Sequence, residues 1–465
     1  MRLVGLVPLI EALPGVQQVI QELSGPGVVV QSYALGAPEA ARAAVVAALA
    51  RHWRGPLLWV TASPERANQV QAELAAWLGE AERVHHFPPP EPLFYDRSPW
   101  EPETVRQRVA VLSLLAGGLD RSEEREQPPV VVAPVWALMV KTVPPGLLQG
   151  GVRALRQGQY RPPAELVASW LRFGYQPAVV VEEQGTFCVR GGIVDVFPPN
   201  LPQPVRIEFV GDEIESLRTF DPGTQRSGKS LESVVIVPAS EALMSQGSRA
   251  AASVRDCDWR GLTAVATQRL QRDLERLERG EAFPGLEHYL PHFYPRPASL
   301  LDYLDDRALV IVDDLRAVQT TAQTLESQAA DSRLELVRDG ELPADWPLPY
   351  FEWGELAARM AVKRGLSLGF DAAPEDLRLP EESFQPGMRY GGRMRQALDD
   401  VRKVLRAGGR TVIVSRQTAR LRELMRELDF EASPAQDIEV TPPPGSLTLV
   451  QGSLAKGWSA AGDQL

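Results

Sequence analysis

The chain has 465 residues, 44% of them hydrophobic and 23% charged, and a formal net charge of −11. That length implies about three domains with room for buried cores. The acidic balance argues against a protein whose main business is gripping a phosphate backbone, which needs a basic face. Two cysteines, Cys188 and Cys257, cannot build a disulfide framework and fit a reducing, cytoplasmic setting. They have no His or Cys neighbours at ligand spacing, so no zinc site is expected. No run of 18 or more apolar residues occurs, so no membrane partner is expected.

Met1 to Leu23 is mildly apolar but holds Glu11 and Pro14 and lacks a small-residue cleavage site. It reads as an amphipathic helix and not as a signal peptide. Val28–Gln31 is a short β-rich run, Glu39–His52 an alanine-rich helix, Leu57–Thr61 a buried strand and Pro64–Leu78 a second helix. This rhythm is that of an open α/β sheet. In a nucleotide-hydrolysing sheet the first turn would end in Gly-Lys-Ser/Thr, with amides cradling the phosphates and the lysine reaching their oxygens. Here that turn has one glycine, Gly36; Pro38 removes an amide donor, and the first lysine of the chain is Lys141. Arg42 lies one turn into the helix, but a guanidinium is too bulky to stand in at so crowded a site. No ATPase activity is expected of this chain.

A proline-rich loop, Phe87–Asp96 with Ser98-Pro99, precedes a helix over Glu103–Leu115 that bears Arg106 and Arg108. His85 and His86 are adjacent on a strand, so they face opposite ways and read as structural. After Pro144-Pro145-Gly146 the pattern changes. A helix with a proline start runs to Phe173 and stops at Gly174, with Leu166, Val167, Trp170 and Leu171 on one face. Strands follow over Ala178–Glu182, Thr186–Arg190, Ile193–Phe197, Val205–Val210, Ile214–Phe220 and Glu232–Val237. The turn residues Gly191-Gly192, Pro198-Pro199-Asn200 and Gly211-Asp212 mark an antiparallel meander. Arg190 and Arg206 sit at strand positions among Asp195, Glu208, Asp212, Glu213 and Glu215. An arginine on a strand presents a rigid fork that suits a partner's carboxylate. An ordinary solvated strand face has the same composition.

Ala308–Val312 is an apolar strand that ends in Asp313-Asp314. Such acids either hold magnesium or cap the next helix; without a phosphate loop, the cap is expected. Asp339–Pro349, acidic and proline-bearing, reads as a linker. Met394–Ala407 is an amphipathic helix, Thr411–Ser415 a strand, Thr418–Leu428 a helix and Ser446–Gln451 a strand. Together they make a small α/β layer with no evident site, in which Gly408-Gly409 end a helix. The last residues read as strand, turn and the approach to another strand, so the chain is expected to be a fragment of something longer.

Several of these stretches carry a resemblance. They are Val189-Arg190-Gly191-Gly192, Val194–Pro198, Val205–Phe209 and Asp212–Arg218 closing in Phe220-Asp221, together with Gly285–Tyr289 and Leu300–Leu304. They resemble the bacterial nucleotide-excision-repair family of UvrB and the transcription-repair coupling factors (Mfd). The phrase Leu93-Phe94-Tyr95-Asp96-Arg97-Ser98-Pro99 is similar to the coupling-factor branch, and the few residues between Tyr95 and the next helix leave no room for the long aromatic hairpin of UvrB. The resemblance implies an α/β chain with a degenerate RecA/UvrB-like open parallel sheet as domain 1, in two parts, 1–147 and 239–340. It implies an inserted α+β antiparallel-sheet UvrA-binding domain over 148–238 and a third small α/β domain over 341–465. Asp313-Asp314 resemble the end of a Walker B strand.

By the same resemblance, Arg190 and Arg206 match arginines that contact UvrA, the damage-scanning ATPase, and Val210 stands where both branches often have an aromatic anchor. Cys188 replaces a second arginine usual in UvrB. Glu208 and Asp212 through Glu215 are secondary candidates. The implied role is the N-terminal module of a factor for transcription-coupled nucleotide-excision repair, recruiting UvrA to DNA at stalled RNA polymerase. RNA polymerase and double-stranded DNA would be met by regions beyond residue 465. No cofactor is implied for this chain; ATP and magnesium belong to the DNA-translocating motor of the full-length family member. The rival readings are a UvrB-like ATPase damage-verification subunit, which would need the phosphate loop and hairpin, and a direct DNA-binding protein.

Overall fold

A seven-stranded parallel sheet forms the largest layer of the computed structural model, which describes residues 1–24, 32–117, 127–371, 377–378, 384–428 and 430–460. Its first strands are β1 (Ser32–Ala34), β2 (Leu57–Thr61), β3 (Val84–His86) and β4 (Val130–Pro134). The strand expected over Val28–Gln31 lies outside the described residues. The chain then leaves this sheet for a separate body built from β5 (Arg153–Arg156), β6 (Gln176–Pro177), β7 (Thr186–Arg190), β8 (Ile193–Phe197), β9 (Val205–Val210), β10 (Glu213–Phe220), β11 (Ser227–Leu231) and β12 (Ser233–Ile236). It returns with β13 (Leu309–Val312), β14 (Arg364–Ser367) and β15 (Leu377–Arg378). The order across the large sheet is β15-β1-β14-β13-β2-β4-β3, so β13, arriving after the whole inserted body, pairs directly with β2. β2 and β4 are buried along their full length, with helices on both faces. Runs such as Leu57-Leu58-Trp59-Val60 are therefore continuously apolar and do not alternate.

The division expected at 340/341 is corrected by β14. This strand lies between β1 and β13 in the large sheet, so the chain through residue 367 belongs with domain 1. The linker expected over Asp339–Pro349 is not solvated either. Leu342, Trp346, Tyr350 and Phe351 are buried in the same core as Leu138 and Tyr303. Prolines and acids there mark tight turns over that core. Beyond them β16 (Phe384–Pro386), β17 (Thr411–Ser415), β18 (Ser433–Ala435), β19 (Leu447–Gln451) and β20 (Trp458–Ala460) build the last layer. β17, β19 and β18 form a parallel three-stranded sheet with the helices Met394–Arg406 and Thr418–Glu427 against it.

In the inserted body a six-stranded sheet, β11-β10-β9-β8-β7-β6, packs one face on the helix Pro163–Arg172. Phe187, Val194, Val196, Val205, Ile207 and Phe209 point inward against Leu166 and Trp170, each worth roughly 2 kcal/mol of apolar burial. Two tight hairpins pin the register. Arg190 faces Ile193 across Gly191-Gly192, and Val210 faces Glu213 across Gly211-Asp212. Gly191 and Gly211 both have φ of 61°, the positive first loop residue that a two-residue hairpin of the II′ kind demands. Residues 178–182 do not form the expected strand. Ala178 makes a backbone bond to β7, its N–H donating to the Phe187 carbonyl at 2.8 Å, and the chain then folds across the outer side of the sheet.

Candidate functional site

A phosphate loop needs backbone amides with nothing else to bind. After β1 the amides of Leu35 and Ala37 donate to the carbonyls of Ser367 and Leu368, at 2.9 and 3.0 Å. They extend the pairing of β1 with β14 and are unavailable to an anion. Arginines gather beside this turn, where Arg42 Nε donates to the Ala37 carbonyl at 3.0 Å. Arg66 forks onto Asp313, Nε at 3.0 Å and Nη2 at 3.2 Å, and Arg42 Nη1 lies 3.2 Å from the same carboxylate. All three side chains are nearly buried. Arg66 Nη2 also donates to the Glu39 carbonyl, and the Glu39 carboxylate takes Lys456 at 2.6 Å. The ion-pair chain thus ties the third layer to the first domain. Asp314 caps the helix Leu315–Arg338, accepting from Ala317 N at 2.9 Å. Among the described residues no group of three or more His, Cys, Asp or Glu is placed to hold a metal ion, and no helix is long and apolar enough to cross a membrane.

The inserted sheet is different, because one of its faces is open. With the inner residues fixed by the core, the alternate residues of β7, β8 and β9 must point outward. The pairing sets Cys188, Asp195, Arg206 and Arg218 in one row and Arg190, Ile193, Glu208 and Ser216 in the next. Val210 follows Glu208 on the same side. Arg190, Arg206 and Val210 therefore share the outer face.

The two arginines do different things. Arg206 forks onto Asp195, Nε to Oδ1 at 2.8 Å and Nη2 to Oδ2 at 2.9 Å, with its guanidinium 4.8 Å from the Phe220 ring centroid. Asp195 is only 2% exposed. The hydrogen bond from Arg206 to Asp195 holds the guanidinium above its ordinary pKa. Arg206 is thus a fixed part of the surface and no mobile arm. Arg190 is exposed, has no carboxylate partner among the described residues, and donates from Nη2 to the Val179 carbonyl at 2.7 Å. An exposed guanidinium with no carboxylate of its own can still take one from a partner. Val210 is 63% exposed. Glu208 accepts from Ser216 Oγ at 2.5 Å, and Asp212 accepts from Tyr160 Oη at 2.8 Å; these two secondary candidates serve the sheet itself.

Sequence reasoning placed β7, β8, β9 and β10 but missed two supports of this face. One is Asp195 as the seat of Arg206. The other is the segment after Pro177, whose Val181 is buried with Cys188, Phe197 and Phe220 on the outer side. A run of three valines gives no local signal for that fold-back. At the root of the inserted body lies a fully buried fork, Arg108 to Glu241, Nε at 2.5 Å and Nη2 at 3.0 Å, with Thr142 Oγ1 on the same carboxylate.

Residues 154–241, which hold this sheet, match the family pattern of the UvrB interaction domain. Across most of its length the chain is similar to proteins named transcription-repair-coupling factor. It is 34% identical over 318 residues to that of Myxococcus xanthus, covering 65% of this chain and 26% of the relative. It is 30% identical over 485 residues to that of Mycobacterium bovis, covering 97% and 37%, and 29% identical over 325 residues to that of Bacillus subtilis, covering 68% and 27%. Fold and match together define an α/β chain with a parallel sheet that carries a UvrB interaction domain. Over most of its length the chain is similar to part of the transcription-repair-coupling factors, which supports a likeness to their N-terminal region. It spans between 26% and 37% of the length of these relatives.

Proposed function

We propose that this chain is the docking module of a transcription-repair coupling factor and that its outer sheet face recruits UvrA to DNA where RNA polymerase has stalled. The observation that carries this reading is the open side of the interaction domain. Arg190, Arg206 and Val210 lie together on it, and Arg190 holds unpaired donors next to exposed apolar surface. The module contributes no chemistry of its own. RNA polymerase, duplex DNA, and the ATP and magnesium of a translocating motor are assigned to parts of the longer protein outside these 465 residues. The rival reading, a UvrB-like ATPase, has little support at the β1 turn, where the amides of Leu35 and Ala37 are taken by β14.

Calorimetric titration of the chain with UvrA tests the reading. Arg190→Ala is expected to weaken binding by about 1–3 kcal/mol, the range for a charged hydrogen bond at an interface, with no change in melting temperature. Unaltered affinity in that variant would remove Arg190 from the contact. Absence of binding by the unaltered chain would remove the proposal.

A further inference from the structure

The fold-back after β6 presents a side chain that its surroundings do not explain. Val179 is 87% exposed, the most exposed large apolar residue among the described residues. Single exposed valines are common on protein surfaces and need no function. This one differs in how firmly it is held. Its carbonyl accepts from Arg190 Nη2 at 2.7 Å and from Cys188 Sγ at 3.3 Å. Two residues on, Val181 is fully buried in the outer cluster and its carbonyl accepts from Gln225 Nε2 at 3.2 Å. One residue before, Ala178 is bonded to β7. The backbone is anchored on both sides and the side chain is turned to solvent. That is a preorganised apolar knob, and an interface gains from one because little conformational freedom remains to be lost on binding.

Its position ties it to the docking face. The guanidinium of Arg190 is bonded to the residue that carries the knob, so cation and apolar group form one unit. Val180 is also partly exposed. Val210 lies two strands across and one pleat further from Arg190, about 12 Å away by ordinary sheet spacings. An interface of standard size, about 800 Å² per partner, would cover both ends.

We infer that Val179 is the apolar anchor of the docking face, inserting into an apolar seat on the partner that is flanked by a carboxylate for Arg190. This rests on the reading of the sheet as the UvrA-binding surface and adds the fold-back loop to it. The Arg190–Val179 hydrogen bond makes Arg190 a positioning residue for the loop as well as a contact. The geometry also explains why the sequence does not mark the anchor: the strand expected over Ala178–Glu182 would have made Val179 one of its residues, whereas it lies in no strand.

The test is calorimetric titration of UvrA with the full chain carrying Val179→Asp, Val179→Ile or Arg190→Ala. Val179→Asp is expected to weaken binding at least tenfold with the melting temperature unchanged, and Val179→Ile to bind as the unaltered chain does. If Arg190→Ala weakens binding while Val179→Asp binds normally, the anchor is overturned and the docking face stands. If Val179→Asp lowers the melting temperature, Val179→Ser decides, since it removes the apolar contact without adding charge; normal affinity in that variant overturns the anchor. If the unaltered chain does not bind UvrA, both the anchor and the reading beneath it fall.

Discussion

Arg190 and Arg206 are equivalent as letters in the sequence and unlike as physical objects. Arg206 neutralises Asp195, a carboxylate buried to 2% exposure. Removing one partner of such a pair strands the other charge, which costs far more than losing the contact itself. Arg206→Ala is therefore expected to destabilise the inserted domain by about 3 kcal/mol, read as a lowered melting temperature. The double variant Asp195→Ala/Arg206→Ala is expected to recover part of that loss. Weakened UvrA binding by Arg206→Ala alone would mix folding with recognition, whereas Arg190→Ala leaves the buried Asp195 paired and disturbs only the outer face and the loop bonded to it. The sequence showed both arginines on strands, because period-two alternation and glycine turns fix which residues share a face. It could not show that Asp195 belongs to Arg206, since pairing across β8 and β9 is a property of register and not of spacing along the chain.

At the scale of elements, the segment Leu286–Phe293 shows how a short motif becomes core. It forms a 3-10 turn and one helical turn whose His288, Tyr289 and His292 surround Trp346, with His292 at 4.2 Å between ring centroids. Trp346 comes from the stretch read as a linker, and its burial explains why that reading fails: composition reported prolines and acids, but one tryptophan fixed the path. His292 accepts or donates at Nδ1 with Ser253 Oγ at 2.9 Å. Burial holds its pKa down at about 4, against a smaller opposing pull from Asp345. A histidine depressed in the folded state is neutral there while the unfolded chain takes up the proton. Its contribution is thus intact above the ordinary value near 6.5 and is lost as pH falls to about 4. The shift corresponds to about 3 kcal/mol. Denaturant midpoints measured between pH 7 and 4 are expected to fall less steeply for His292→Gln than for the unaltered chain. Equal slopes would mean the ring is protonated in the fold. Polar edge strands such as Ser227–Leu231 show the opposite limit of legibility. They have no apolar alternation, and pairing with β10 alone makes them strands.

For the whole molecule, the parallel sheet is a scaffold whose β1 turn is closed by backbone pairing and flanked by buried ion pairs. Arg42 and Arg66 converge on Asp313, and the chain of charges through Glu39 reaches Lys456 in the last layer. The loss of the phosphate loop was legible because a missing lysine and a proline are visible in any sequence. What replaced it was not, because Arg66 and Asp313 are 247 residues apart. Titration with ATP and magnesium up to millimolar concentration is expected to give no binding heat; saturable binding would show that the arginines yield the site. What the scaffold presents is the inserted domain, whose outer face combines a guanidinium that has no carboxylate partner among the described residues with two exposed valines. A structure of this chain bound to UvrA would decide what that face is for. The expected result is Arg190 against a UvrA carboxylate, with Val179 and Val210 buried in the same contact. The contradicting result is a complex in which these three side chains remain in solvent and UvrA is held elsewhere.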